Sequence, residues 1–410
     1  MIDKIQNIKN VPELRFPEFS GEWVEKKLGD IGIFTGGGTP DTNEKIYWTG
    51  DIPWISSSDI QEYNIHSVNI SHYITNHAVL KSATKIIPAK SVLIVSRVGV
   101  GKFAVVNREI CTSQDFTNLT PHYEDVYYLA YYFTAKANRF VRYSQGTSIK
   151  GFTSSDIKGL RFNLSTDIRE QKKIANFLMQ VDKRIDKLEE KKKKLEEYKK
   201  GVMQKIFSQE IRFKDDNGED FPDWEKKRLG DIAKFTKGKN ISKSDIDLNG
   251  TIQCIRYGEL YTFYGEVIDV VKSRTNLTPI DLVFSKANDV IIPASGETQF
   301  DIATASCVTI DGIALGGDLN IIRSQCNGIF LSYYLNSEKK NDIANLSQGN
   351  SVVHLYGKEL KTLSIIVPNI QEQKAISNFL ISIDKQIEKI SSQIESSKIF
   401  KKGLLQKMFV

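Results

Sequence analysis

Gly99-Val100-Gly101-Lys102 is a glycine-rich stretch ending in a cation, which resembles a fragment of a phosphate loop. A true phosphate loop needs GxxxxGK followed by Ser or Thr, whose hydroxyl meets the magnesium ion, and here Phe103 follows Lys102. The stretch reads as a turn between strands. No GxGxxG opens a helix after a strand, so a Rossmann-type pocket for a dinucleotide or a methyl donor has no support. His72 and His77 stand five apart, a spacing that does not put two ligands on one helix face, and no HExxH accompanies them. Asp30 and Asp231 each follow Leu-Gly at a helix start, where a carboxylate complements the helix dipole. Cys111, Cys254, Cys307 and Cys326 form no CxxC pair and read as small buried apolar residues. The sequence offers neither a catalytic constellation nor a metal set.

Composition narrows the remainder to a folded binding protein. The chain has 410 residues, 40% of them hydrophobic, and a net charge of +6. That is enough for two or three cored domains, and the mild positive charge suits a polyanionic partner without demanding one. No apolar run approaches ~18 residues and no charged-then-apolar leader opens the chain, so a cytoplasmic location is expected.

The elements that position everything else are two long helices. From Ile168 to Phe207, apolar residues fall at Ile174, Leu178, Val181, Ile185, Leu188, Leu195, Val202 and Ile206, a heptad seam. Ile376, Leu380, Ile383, Ile387, Ile390, Leu404 and Met408 lie 202 residues further on, in phase, and Ile394 stands 199 residues after Leu195. At ~1.5 Å per residue each helix is a rod of roughly 60 Å with a narrow apolar face, and the other copy in the chain is the partner that costs least to recruit.

The repeat extends to the rest of each half. Trp23, Leu28-Gly29-Asp30-Ile31 and Phe34-Thr35 return as Trp224, Leu229-Gly230-Asp231-Ile232 and Phe235-Thr236. Helical patterns over 126–143 and 329–346 precede Ser144-Gln145-Gly146 and Ser347-Gln348-Gly349, and short strands at 160–164 and 363–367 lead into the rods. Between these fixed words the halves diverge, sharing little beyond a glycine after an apolar strand, Gly99 and Gly296.

Taken together these words resemble the specificity (S) subunits of bacterial Type I restriction-modification systems. They are Leu28-Gly29-Asp30-Ile31, Gly37-Gly38-Thr39-Pro40, Ile52-Pro53-Trp54-Ile55-Ser56, Ser144-Gln145-Gly146 and Glu170-Gln171-Lys172 to Leu178. The resemblance runs from Pro12 to Phe409 and implies a tandem α/β (α+β) repeat with pseudo-twofold symmetry. Its target-recognition domains would be 1–167 and 210–368, with antiparallel coiled-coil helical regions at 168–209 and 369–410. It further implies a non-catalytic chain that directs partners to DNA. Two methyltransferase (M) subunits would dock on the helices and restriction (R) subunits would join them. S-adenosylmethionine, ATP and Mg would be bound by those partners and none by this chain.

A symmetric frame with unlike inserts predicts an asymmetric, bipartite DNA target, because identical half-sites need identical readers. The helices would set the unread gap, so four residues inserted near Lys192 would add roughly 6 Å, about two base pairs. Thr39, Ser57, Arg97, Lys102, Ser148 and Lys150 are the candidate DNA contacts in the first half. Lys239, Arg256, Lys286, Gln299, Asn350 and His354 are those in the second. Arg and Lys can meet guanine or phosphate, and Gln and Asn can pair with adenine. A coiled-coil adaptor with two protein-binding modules is the rival reading, and a self-sufficient enzyme is a third that the empty catalytic search disfavours.

Overall fold

The computed structural model describes residues 10–143, 151–349 and 352–410. The chain forms two compact units, one built from residues 1–190 and 390–410 and the other from 191–389.

In the first unit a four-stranded sheet forms from β1 (Gly32–Gly36), β3 (Ser91–Ile94), β4 (Phe103–Val106) and β6 (Thr117–Pro121), in the order β1-β6-β3-β4. A second sheet pairs β2 (Ile52–Ile55) in parallel with β5 (Ile110–Thr112), flanked by His72–Ile74 and Ile86–Ile87. Helix α1 (Val126–Ala135) covers the first sheet with Tyr128, Leu129, Tyr132 and Phe133, all fully buried. The helical pattern to Tyr143 is interrupted at Lys136, whose backbone N–H bonds back to Tyr132 and Phe133, and it resumes as Ala137–Tyr143.

The second unit repeats this frame with β7 (Ala233–Lys237), β8 (Ile252–Ile255), β9 (Asp289–Pro293), β10 (Ser306–Val308), β11 (Ala314–Leu315), β12 (Leu319–Ser324) and α3 (Gly328–Ser337). The registers match: Phe34 and Val92 both oppose Leu119, as Phe235 and Val290 oppose Ile322. The repeated Leu-Gly-Asp words form one-turn helices, with the acid in the first turn. Their glycines are steric requirements, since a Cβ on Gly29 would meet the Lys158 carbonyl at 3.1 Å and one on Gly230 the Lys361 carbonyl at 2.9 Å.

Helix α2 spans Ile168–Phe207 and α4 spans Ile370–Lys407. The repeated Glu-Gln pair anchors each start. Glu170 is buried and accepts from Arg15 Nε at 2.6 Å, Trp23 Nε1 at 3.2 Å and Ser165 Oγ at 2.6 Å. Gln171 accepts from the Asp125 N–H and donates to the Ser165 carbonyl. Glu372 accepts in the same way from Arg212 at 2.8 Å and Trp224 at 3.1 Å, while Gln373 ties Asn327 to Pro368.

Within each unit the two long helices meet antiparallel. In the first unit, Lys401 Nζ lies 2.6 Å from Asp182 Oδ1 and Lys398 Nζ lies 2.7 Å from Glu189. In the second, Lys199 Nζ lies 2.7 Å from Asp384 Oδ1. Of the seam, Ile174, Leu178, Ile185, Ile376, Leu380, Ile383, Ile390 and Ile394 are buried, while Val181, Leu188, Leu195 and Ile387 are half-buried. The rods are broader at their ends than the heptad pattern implies. Ala175 and Leu405 join the first unit's core, with Phe409 just past the end of α4, and Met203 and Phe207 join the second's. The helix ends therefore pack on globular cores as well as on each other, because apolar residues beside the seam widen the face there.

A tyrosine completes each cross-helix pair. The Tyr131 hydroxyl donates to Asp182 Oδ2 at 2.6 Å, and that of Tyr333 donates to Asp384. Burial disfavours charge on Asp182, but His66, Lys401 and Tyr131 together outweigh it and hold the carboxyl below the usual carboxylate range. Burial and the adjacent carboxylates push both phenols up. The surroundings differ: His66 Nε2 lies 3.5 Å from Asp182 in the first unit, whereas Glu266 takes Lys199 at 3.0 Å in the second.

Candidate nucleic-acid interface

Because β1 and β3 both lie antiparallel to β6, their C-terminal ends emerge at one edge of the first sheet. The loops at that edge carry three of the first half's six candidates. The β3–β4 connection is a hairpin turn, with Gly99 at φ +91° and Gly101 at φ +101°, the left-handed region that favours glycine. At its shoulder Arg97 is exposed and lines an open groove with Gly36, Gly37, Gln114, Thr153 and Ser154. Lys102, at the turn's far end, donates to the Ser57 carbonyl at 3.4 Å. Thr39 is half-buried and bonds Gln114, and Ser57 is buried. The edge thus collects Thr39, Arg97 and Lys102; Ser148 and Lys150 fall outside the described residues.

The same edge exists in the second unit with other side chains. Phe152 N–H bonds the Ser96 carbonyl and Ser96 N–H bonds that of Asp115; Leu355 bonds Ala294 and Ala294 bonds Asp318 in the same pattern. This correspondence equates Arg97 with Ser295 and Gly151 with His354. It also separates Gly99 from Gly296, which matches Val98. The shared glycine expected from the sequence is therefore not an equivalent position, because the connections that follow differ in length and form. The second unit has a short helix, Gln299–Ile302, where the first has its hairpin turn.

His354 is exposed at this edge and pairs with Ser295 in a two-residue ladder. Gln299 is exposed nearby in sequence, between Glu297 and Asp301. Lys239 lies 3.6 Å from Asp281, and Arg256 lies 3.6 Å from the buried Glu259 with its Nε enclosed and unpaired. Arg256 lines an open groove with Asn240, Ile241, Lys243, Thr278, Gly316 and Asp318. Asn240 and Ile241 there have φ of 53° and 61°, and for β-branched Ile241 this is a strained conformation. Lys286 stands apart, in the turn before β9, at the opposite end of that strand from Ser295. Asn350 is outside the described residues.

The lock residues Asp182, Lys199, Asp384 and Lys401, with Tyr131 and Tyr333, were not singled out by the seam. Their signal was present all the same, as polar residues identical at a spacing of 202 within or facing an apolar stripe. All four cysteines are free and buried. Among the described residues, no helix is long and apolar enough to cross a membrane.

Two copies of one α/β frame, each ending in a long helix and each carrying unlike side chains on the same edge, define a duplicated modular protein. The chain belongs to the Type I restriction modification DNA specificity domain family, whose model matches it twice, over residues 20–197 and 222–396. It is 32% identical over 241 residues to the Type I restriction enzyme MjaIX specificity subunit of Methanocaldococcus jannaschii, covering 55% of each chain. It is 33% identical over 177 residues to the EcoR124I/EcoR124II specificity subunit of Escherichia coli, covering 41% of this chain and 43% of that one. The chain thus spans about half the length of these two relatives. To the MjaVIII specificity subunit of M. jannaschii it is 24% identical, over 96% of this chain and 94% of that one. In fold it is similar to the crystal structure of a Type I restriction-modification system S subunit from M. genitalium, with a TM-score of 0.61 at 15% identity, covering 98% of this chain and 99% of that one.

Proposed function

We propose that this chain is the specificity subunit of a Type I restriction-modification complex, each unit reading one half of a split, asymmetric DNA sequence. The observation that carries the reading is the matched edge: one hydrogen-bonded frame in both units, with Arg97 and Gly151 in one replaced by Ser295 and His354 in the other. A duplicated enzyme would be expected to keep its reacting groups; a duplicated reader of two different sequences should keep its frame and change its edge. On this reading Thr39, Arg97 and Lys102 contact the first half-site, and Lys239, Arg256 and His354 the second. Methyltransferase subunits dock on the long helices, restriction subunits join them, and S-adenosylmethionine, ATP and Mg stay with those partners. The chain itself is non-catalytic and works in the cytoplasm.

The test is selection of bound duplexes from a random DNA library by the purified chain together with its methyltransferase subunit, followed by methylation mapping. A split motif with two unlike halves is expected. A chain that ignores DNA at every salt concentration, with no counterion slope, would be the protein-binding adaptor instead.

A further inference from the structure

Beside the candidate His354, the exposed edge of the second unit holds three side chains that are not among the candidate contacts. Tyr356 is 40% exposed, and its ring lies against that of His354, with centroids 6.2 Å apart and planes 19° from parallel. Two ammonium groups approach the same ring: Lys237 Nζ and Lys358 Nζ are each 5.7 Å from its centroid. Lys237 closes β7, and Lys358 sits in the one-turn helix Gly357–Leu360, so separate elements bring the charges together. Glu359 lies 3.4 Å from Lys358, and among the described residues no carboxylate pairs with Lys237. The cluster therefore presents one exposed aromatic face with a cation on each of two elements, and the Lys237 charge is open to an anion.

The location of the cluster gives it meaning. Since Leu355 corresponds to Phe152, Tyr356 corresponds to Thr153 and His354 to Gly151, both of which line the first unit's groove beside Arg97. A Cβ on Gly151 would come within 3.3 Å of Arg97 Cγ, so the large Arg97 needs a small neighbour. In the second unit the sizes are exchanged, with small Ser295 beside large His354 and Tyr356. Behind both edges one contact is kept, Lys158 over Phe34 at 6.0 Å and Lys361 over Phe235 at 5.8 Å. The support is constant while the presented chemistry is swapped.

We propose that Tyr356, flanked by Lys237 and Lys358, is a DNA contact of the second unit, occupying the surface that Arg97 occupies in the first. The two lysines meet backbone phosphates, and the ring, with its hydroxyl, meets base edges in the groove between them. This rests on the reading of the chain as a DNA specificity subunit.

The test uses the full chain and a random duplex library, with binding followed across a salt titration. The lysine double variant K237M/K358M should bind about tenfold more weakly at ~0.15 M salt, and its slope of log K against log salt should fall by about two, with the selected motif unchanged. Tyr356→Ala should lose information in one half of the motif, and Tyr356→Phe should keep most of it. All three are surface changes, and unchanged melting temperatures would confirm intact folds. Wild-type affinity, slope and motif in the double variant and in Tyr356→Ala would overturn the assignment. Equal weakening of all sequences by Tyr356→Ala would overturn the reading role of the ring. Absence of DNA binding by the wild-type chain would instead overturn the broader functional reading.

Discussion

The pair Asp182–Lys401 ties the beginning of one long helix to the end of the other inside the first unit, and both side chains are only 8% exposed. Replacing Lys401 by Met leaves a buried carboxylate without its cation. Removing one partner of a buried pair costs about 3–5 kcal/mol, and the low end applies here because Tyr131 still donates to Asp182. Asp182→Asn leaves Lys401 without a carboxylate, held by the Tyr63 carbonyl 2.7 Å away and the Tyr131 ring 5.7 Å away, at a cost of about the same size. The double variant D182N/K401M removes both charges, so it should lie roughly 1.5–3 kcal/mol closer to wild type than the sum of the singles. For a unit of this size each single variant should lower the melting temperature by roughly 6–12 °C in calorimetry. The pH dependence has a definite sign. With its folded pKa depressed, Asp182 contributes stability above its unfolded pKa of ~3.9, and that contribution is lost as pH falls through the lower folded value. This part of the acid loss should vanish in Asp182→Asn. Strict additivity of the two singles in the double variant would refute a direct charge lock.

Three further outcomes are expected. Arg97→Ala should relax specificity in one half of the DNA motif only, as read by methylation mapping, because the second unit carries Ser295 at that place. Four residues inserted near Lys192 alone should destabilise the chain, since Asp182 and Lys199 are 17 residues apart in α2 just as Asp384 and Lys401 are in α4. Insertion in both helices, near Lys192 and Ile394, should keep both locks and widen the unread gap of the motif by about two base pairs; selection by a folded double insertion with the original gap would count against it. Burial pushes the Cys111 and Cys307 thiols up to about 12 and that of Cys254 up to about 11, so all three should resist a thiol reagent at pH 8 until the chain is denatured, as absorbance titration would show.

The features legible in the sequence were those that a short window or the 202-residue period could carry. A heptad seam survives translation into structure because its period is a property of one helix, and Ile168–Phe207 formed as read. The Gly99–Lys102 turn was legible because glycine at positive φ is a local requirement. The break at Lys136 was not, since the aromatic stripe continues across it and only the backbone capping ends the helix. Tyr356 was invisible for a different reason. Its importance comes from Lys237, more than a hundred residues away, and from a two-residue ladder that no propensity predicts. His66 is similar, a lone histidine until the fold brings it to Tyr131 and Asp182.

The first unit is closed by residues 390–410, and Leu404, Leu405, Met408 and Phe409 lie in its core. Phe409 packs against Trp23, Tyr128 and Tyr132, and the Tyr132 hydroxyl donates to the Val410 carbonyl. Four such side chains are worth roughly 6–12 kcal/mol of burial, comparable with the whole stability of a domain. A ribosome making this protein therefore emits a first unit that waits, incomplete, while some two hundred further residues are added. Its aromatic cleft stays open to chaperones or to stray apolar segments until the last turns of helix emerge. A premature stop near Lys398 would then damage the first unit more than the second, although the second is the one made just before it.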